Sequence, residues 1–212
     1  NFKRDNYADC ITTGIAYHLG NGNGYEAVIR ADFNHVTGEN VNVSFYREMA
    51  GEAVETESYS RYWHGTAGVV RLFLILMDIQ TLRHVIAVVG IVLNAALAIY
   101  LMRKRKPALG VIYIIAFALV NGFFALGCFE YGMIFILLPI ACLALLQTKT
   151  KENAQLTFLV IGMLTAFLDF LTAETLTFTI PFAIYYIAVC RNNAEPEKQT
   201  HRKQKRSAWM LL

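Results

Sequence analysis

The feature that most constrains this chain is the stretch of residues 65–190, which is apolar almost throughout. Residues 1–62, in contrast, have the mixed composition of a soluble segment. Over the whole chain 56% of the residues are hydrophobic and only 17% are charged, whereas about a quarter of the residues of an average soluble domain are charged. This division predicts one polar segment followed by a membrane-embedded region.

Five apolar runs are candidates for membrane-spanning helices, because a helix needs roughly 20 mostly apolar residues to cross about 30 Å of hydrocarbon. They are residues 84–102, 108–124, 133–147, 156–170 and 176–190. The predicted fold class is therefore all-α, a polytopic membrane helix bundle (84–190) with a small, mainly helical extracytoplasmic N-terminal segment (1–64). Apolar residues at helical spacing predict a helix over 7–19 in that segment, and further helices are expected over 25–33 and 41–49.

The charges of the connecting loops predict the orientation of the spans. Lys and Arg accumulate after the first and third spans (103–106 and 149–151) and in the tail 191–212, whereas the loops after the second and fourth spans carry acidic residues instead. Because basic loops are retained in the cytoplasm, residues 1–64 are expected outside it and the basic tail inside. The predicted localisation is the cell membrane, with several crossings.

Residues 65–83 are predicted to be an interfacial helix and its connection to the first span. The apolar run 65–77 is short and Arg71 interrupts it, so it is expected to lie along the outer interface. If it crossed the membrane, the basic loop 103–106 would be placed outside, against the charge rule.

Common motifs of soluble enzymes are absent from the sequence. It contains no P-loop, GxGxxG, HExxH or GxSxG pattern, and its four cysteines form no CxxC pair, so no zinc site or disulfide framework is predicted. The basic tail has a single aromatic residue, Trp209, and nucleic-acid binding is not expected. The chain starts at Asn1 without a signal peptide, so we expect a fragment or processed product of a chain that began with another membrane helix.

The least generic stretch, 57–65 (ESYSRYWHG), joins the outer segment to the membrane region. Aromatic residues such as Tyr62 and Trp63 are expected at a membrane interface in any case. Arg61 and His64 add a cation and a titratable imidazole beside these rings, so the same stretch also fits a binding site at the membrane surface.

Asp169 is the most informative ionisable residue of the membrane region, because it closes the fourth span. A carboxylate near hydrocarbon is costly unless it faces protein or water. Asp169 is therefore either a solvated helix end or a member of a polar pocket.

Three short stretches together resemble segments of uncharacterised multi-spanning proteins of Gram-positive bacteria. They are residues 6–10 (NYADC), 60–65 (SRYWHG) and 167–172 (FLDFLT). Those proteins are similar in layout to GT-C glycosyltransferases, in which an acidic residue of the first outer loop acts as the base and the donor is a lipid-linked sugar. GT-C enzymes usually have more than five spans, so the resemblance implies a fragment or a truncated copy.

The resemblance implies a glycosyltransferase-like membrane protein that uses a polyprenyl-phosphate sugar at the outer membrane face. The site residues predicted on this basis are, as catalytic groups, Asp9, His64 and Asp169 and, as substrate-binding groups, Arg61, Tyr62, Trp63, Arg71 and Glu174. Asp9 takes the place of the outer-loop acid, and arginine suits the phosphate. No metal-ligand set is predicted, but a divalent cation is a candidate cofactor. The alternative is a non-enzymatic membrane assembly or transport component whose outer segment binds a partner.

Charge balance predicts how the site is assembled. Unpaired charges beside lipid are expensive, and mutual neutralisation lowers that cost. We therefore expect Asp9, Arg61, His64 and Asp169 to converge on one pocket at the outer face.

Overall fold

The computed structural model describes residues 6–19, 24–61, 63–104, 107–169 and 173–187. Within these ranges the chain is mostly helical, with two strands of three residues each. The prediction of an all-α fold is confirmed at this level.

The outer segment contains three helices and two strands: α1 (Asn6–His18), α2 (Gly24–Arg30), β1 (Asp32–Asn34), α3 (Val41–Met49) and β2 (Thr56–Ser58). The helices predicted over 7–19 and 41–49 are present. The helix expected over 25–33 is shorter, because Ala31 has a positive φ of 48° that a helix does not tolerate. Phe33 lies instead in β1, which pairs antiparallel with β2 and places Phe33 opposite Glu57.

A single hydrophobic cluster joins the outer segment to the long helices. Its buried members from the outer segment and from the following helix include Ile11, Ile15, Phe33, Val41 and Val70, and its members from the long helices are Leu82, Ile86 and Phe129. The outer segment is therefore held against the helical region by a shared core.

Seven helices follow: α4 (Gly65–Leu74), α5 (Ile79–Lys104), α6 (Pro107–Leu119), α7 (Gly122–Ala125), α8 (Phe129–Gln147), α9 (Lys151–Leu168) and α10 (Glu174–Tyr185). Among the described residues, α5 and α8 are long and apolar enough to cross a membrane, and α4 and α6 are apolar but shorter. The two long helices indicate association with a membrane.

Helix caps extend two of these helices beyond the apolar runs. The Asp78 carboxylate accepts hydrogen bonds from the backbone N–H groups of Gln80 and Thr81, so α5 begins at Ile79 rather than near residue 84. The Thr150 hydroxyl accepts from the N–H of Asn153, and α9 accordingly begins at residue 151 rather than 156. Hydropathy alone missed both starts because capping residues and first turns are polar.

The second apolar run, residues 108–124, is not one continuous helix. Helix α6 ends at Leu119, and Asn121 has a left-handed conformation with φ 54°. The four-residue helix α7 follows it. Asparagine tolerates this conformation better than most residues, so the chain turns within the predicted span.

Helix α4 has ten residues and ends at Leu74, four residues before the cap of α5. At 1.5 Å per residue it is about 15 Å long, roughly half of the hydrocarbon thickness. A helix of this length does not cross a bilayer by itself. Its location at the interface stays a prediction.

Helix α8 is the centre of the helical region and packs against α5, α9 and α10, while α6 packs against α5. The outward faces of α5, α6, α9 and α10 are strongly apolar, with exposed side chains such as Val92, Ile112, Met163 and Phe178. Contiguous apolar surface of this extent is rare on proteins that face water. These faces fit contact with lipid.

A polar contact inside the helical region compensates for a proline. Pro139 lies within α8 and has no N–H, so the carbonyl of Phe135 lacks its usual partner in the helix. The Asn94 side-chain amide donates to that carbonyl at 2.9 Å, and the Tyr113 hydroxyl donates to the Asn94 oxygen at 2.5 Å. Asn94 therefore links α5, α6 and α8 at one buried point.

Candidate functional site

Asp9 lies in the first half of α1 and is buried. One carboxylate oxygen is 2.8 Å from a terminal nitrogen of Arg83 on α5. The other accepts a hydrogen bond of 2.8 Å from the backbone N–H of Phe129, the first residue of α8. The Arg83 guanidinium also lies over the Phe129 ring, 4.9 Å from its centroid. Asp9 thus ties α1 to the beginnings of both long helices.

This geometry has a direct chemical consequence. A carboxylate at the N-terminus of a helix is stabilised by the exposed N–H groups and by the helix dipole, and here an arginine adds a charged partner. A general base must instead reach the hydroxyl that it deprotonates. Each oxygen of Asp9 has one described contact, and these contacts fit a structural role. The catalytic role of Asp9 stays a prediction.

A second feature, which we call the junction pocket, lies where the outer segment meets α4 and the end of α9. It has a volume of about 370 Å³. Its lining residues come from the end of α1, from α2, from the stretch before α4 and from α4 and α9: Leu19, Val28, Ile29, Ser60, Arg61, Trp63, His64, Gly65, Gly68 and Phe167. The pocket therefore has polar groups on one part of its wall and apolar side chains on the rest.

The floor of the junction pocket depends on a close approach between α4 and α9. A side chain at Gly65 would collide with the ring and the carbonyl oxygen of Phe167, so only glycine fits there. The Thr66 hydroxyl donates to the carbonyl of Leu168 and fixes the same contact. Trp63 lies beside Phe167 with 6.5 Å between ring centroids.

His64 precedes α4 and is half-buried. Its Nε2 lies 2.5 Å from the carbonyl oxygen of Tyr59, and the two rings are 5.5 Å apart. Burial lowers the pKa of His64, and the hydrogen bond to Tyr59 offsets this only in part. The imidazole is therefore mainly neutral near pH 7, which leaves Arg61 as the permanent cation among the described lining residues.

The other predicted site residues lie in different surroundings. Tyr62 is outside the described residues. Arg71 is half-buried on α4 and is not among the described residues that line the junction pocket. Asp169 is buried at the end of α9, where its carboxylate accepts a hydrogen bond of 3.1 Å from the N–H of Ala173. Glu174 is exposed in the first turn of α10.

The structure thus brings together three of the predicted residues, Arg61, Trp63 and His64, in the junction pocket. Asp9 and Asp169 are not among its described lining, and the ion pair described for Asp9 is with Arg83. Convergence of the two carboxylates on the same site stays a prediction.

Sequence reasoning did not single out Arg83 and Gly68. The signal for Arg83 was available, because a buried carboxylate requires a cation and Arg83 flanks an apolar run on the same predicted side. The signal for Gly68 was its spacing of three residues from Gly65, which places both glycines on one face of α4. Small residues on one helix face permit a close approach or leave open space beside it.

Within residues 6–19, 24–61, 63–104, 107–169 and 173–187, no group of three or more His, Cys, Asp or Glu side chains could hold a metal ion. The described part of the chain therefore supplies no ligand set for the divalent cation considered above.

No protein-family model, curated protein or solved structure matches this chain. The resemblance to GT-C glycosyltransferases therefore rests on the three short stretches around Asp9, Arg61 and Asp169 and on the layout.

Proposed function

We propose that the chain is a multi-spanning membrane protein that binds a phosphate-bearing lipid in the junction pocket, as the resemblance implies for a polyprenyl-phosphate sugar. The observation that carries the proposal is the composition of this pocket. The pocket has an exposed cation, Arg61, and an indole, Trp63, beside apolar walls. It lies at the end of α9, whose outer face is apolar. A charged head with an apolar chain matches such a site.

The arrangement of the helix ends supports a bundle that crosses the membrane several times. The described basic residues Arg103, Lys104, Lys149 and Lys151 lie at one set of ends. The outer segment and α4 contact the opposite set, where Asp9 of the outer segment meets the start of α8 and Thr66 of α4 meets the end of α9. This is the distribution that the charge rule requires if the outer segment is extracytoplasmic.

The chemistry of the lining supports an oxyanion at the polar end of the pocket. Arginine is permanently charged and its planar fork matches phosphate. Trp63 adds an N–H donor on an apolar ring, which is typical of side chains at a membrane interface. Val28, Ile29 and Phe167 provide apolar surface for the first units of a lipid chain.

Sugar transfer is the reaction that the resemblance implies for such a lipid. In the proposal Asp9 is a positioning residue, because its described contacts hold the outer segment on α5 and α8. The lipid-binding part of the proposal does not depend on this assignment.

Binding of a short-chain polyprenyl phosphate, compared with the uncharged polyprenol of equal length, tests the proposal on the full chain in detergent micelles. Arg61→Gln should weaken binding of the phosphate by about tenfold to hundredfold, because a hydrogen bond to a charged group contributes roughly 1.5–3 kcal/mol and 1.4 kcal/mol corresponds to a factor of ten. The same variant should bind the polyprenol as the unchanged chain does.

A pair of glycine variants provides the matched control. A side chain at Gly68 meets no atom within 4 Å and would extend into the junction pocket, and Gly162 on α9 is equally open but lies away from it. Gly68→Leu should weaken binding of both lipids, whereas Gly162→Leu should not. Equal binding of the phosphate by the unchanged chain, Arg61→Gln and Gly68→Leu would refute the proposal.

A second candidate function is a membrane assembly component, and one observation favours it. Helix α3 exposes Val43, Tyr46 and Met49 on its solvent side, while Val41 and Ser44 face the core. Such a stripe fits a protein partner of the outer segment. Failure of the unchanged chain to bind either lipid, together with retention of a bound protein that Tyr46→Asp releases, would favour this function.

A further inference from the structure

Helix α2 carries an apolar stripe that the outer segment does not cover. Tyr25, Val28 and Ile29 are spaced by three and four residues and lie on one face of the helix. Val28 is 56% exposed and Ile29 is 53% exposed. Ala27, on the opposite face, is the less exposed position. The apolar face of α2 is therefore only partly covered by protein, and Val28 and Ile29 border the open junction pocket.

The polar residues of α2 lie beside this stripe. Glu26 and Arg30 are both exposed, and Arg30 forms an ion pair of 3.1 Å with Asp32. A short helix with an outward apolar face flanked by charged residues is the arrangement of a segment at a membrane interface.

The stripe on α2 and the apolar outer face of α9 both border the junction pocket. The junction pocket places Val28 and Ile29 beside Trp63 and Phe167. From Phe167, exposed apolar residues follow down α9 at helical spacing: Met163, Val160, Leu159 and Leu156. Exposed apolar residues thus border the junction pocket on α2 and continue from its far wall along α9, the helix that the proposal places in lipid.

We infer that α2 is seated in the outer leaflet of the membrane, with its apolar face in contact with lipid. For an interfacial helix this face lies roughly 5–10 Å inside the headgroup boundary. The junction pocket then opens towards lipid, and an amphiphilic ligand enters it sideways from the leaflet. This inference rests on the membrane part of the proposed function and not on the choice of a phosphate as ligand.

Quenching by lipids that carry a nitroxide at known depths tests the placement of α2. A fluorescent label is attached to Val28→Cys in the full chain, reconstituted into phosphatidylcholine vesicles after the natural cysteines have been replaced by alanine. Two reference positions bracket it. Met163→Cys reports the membrane face of α9, where the native side chain is 66% exposed, and Tyr46→Cys reports α3, where it is 74% exposed.

The label at Val28 should lose most of its emission with a nitroxide near the headgroup and little with one deep in the chain. The label at Met163 should be quenched by the deeper nitroxide, and the label at Tyr46 by neither lipid but by iodide in the buffer. If Val28 behaves like Tyr46 while Met163 is quenched by lipid, the inference is wrong and the membrane bundle stands. If neither Val28 nor Met163 is quenched, the membrane bundle itself is wrong.

An independent measurement needs no cysteine replacement. The chain has two tryptophans, so Trp209→Phe makes Trp63 the only one. Its emission should shift to shorter wavelength on reconstitution and should be quenched by lipids brominated near the headgroup. Trp63 emission that is typical of water and unaffected by brominated lipid would contradict the lipid-facing surface.

One further result of the nitroxide experiment would also overturn the inference. If the label at Tyr46 is quenched as strongly as the label at Val28, contact with lipid is not particular to α2.

Discussion

Replacing Asn94 by leucine should destabilise the helical region because Asn94 serves a carbonyl that a proline has left without a donor. The Asn94 amide donates to the carbonyl of Phe135, four residues before Pro139, and its oxygen accepts from Tyr113. Leucine removes these two hydrogen bonds and a third one, which the amide donates to the Gly90 carbonyl. The Phe135 carbonyl and the Tyr113 hydroxyl then lose the partners described for them.

The size of the effect follows from the cost of such groups. An unpaired buried donor or acceptor costs about 1–3 kcal/mol in soluble proteins, whereas hydrogen bonds between membrane helices average about 0.6 kcal/mol and reach about 1.7. We therefore expect Asn94→Leu to lower the free energy of unfolding by about 1–2 kcal/mol.

A double-mutant cycle with Pro139→Ala separates this explanation from a general loss of packing. Alanine at 139 supplies the missing N–H, so the carbonyl of Phe135 regains a partner within α8. In the Pro139→Ala chain, Asn94→Leu should therefore lower the free energy of unfolding by a smaller amount. The coupling free energy between the two substitutions should be about 1 kcal/mol. Tyr113→Phe, which removes a different hydrogen bond of Asn94, should instead be additive with Pro139→Ala.

The four proteins of the cycle are compared by reversible unfolding in detergent micelles, with helical circular dichroism as the signal. The reasoning would be refuted if Asn94→Leu lowers the free energy of unfolding equally with proline and with alanine at position 139. A coupling for Tyr113→Phe as large as that for Asn94→Leu would also refute it, because the effect would then not be specific to the carbonyl of Phe135.

Two further predictions concern the outer segment. Asp9→Asn should lower the free energy of unfolding by about 3 kcal/mol, because it leaves the Arg83 guanidinium without its charged partner. Adding Arg83→Met to this variant should recover part of the lost stability. If Asp9→Asn instead leaves thermal unfolding unchanged and abolishes sugar transfer, Asp9 is a base. His64 has a pKa below its ordinary value of 6.5 in the folded chain, so the unfolded chain binds the proton more readily, and the contribution of His64 to stability is complete above about pH 6.5 and is lost as the pH falls towards the lowered pKa. Unfolding measured over roughly pH 5–7.5 should therefore show a decrease at the acidic end that is smaller in His64→Gln, and identical pH profiles would contradict the burial of the imidazole.

The sequence was a reliable guide where a periodic pattern extends over several turns. The helical spacing of apolar residues predicted α1 with an error of one residue at each end, and the helix expected over 41–49 is present as α3. The strands β1 and β2 have three residues each, which is too short for alternation to be recognised. The predicted starts of α5 and α9 were too late in the sequence, because their caps, Asp78 and Thr150, are polar and lie outside the apolar runs.

Sequence reasoning was less successful with contacts between distant parts of the chain. The requirement that a buried Asp9 needs a cation is general. It suggested Arg61 because Arg61 was expected at the same membrane surface as Asp9. The structure pairs Asp9 with Arg83, and the second contact is with Phe129, 120 residues further along. Local patterns determine which residues must be neutralised, but the packing of α1 against α5 and α8 determines the partner.

The described contacts of Asp9 and the lining of the junction pocket are two features with different consequences. The ion pair of Asp9 with Arg83 holds the outer segment on the helices, so changes there should alter stability and ligand binding together. The junction pocket depends on Gly65, which lets α4 approach α9, and on Arg61, which is exposed and bears no buried contact among those described. Arg61 is therefore the position where ligand binding should change while folding does not, and a variant there distinguishes a binding site from a structural junction.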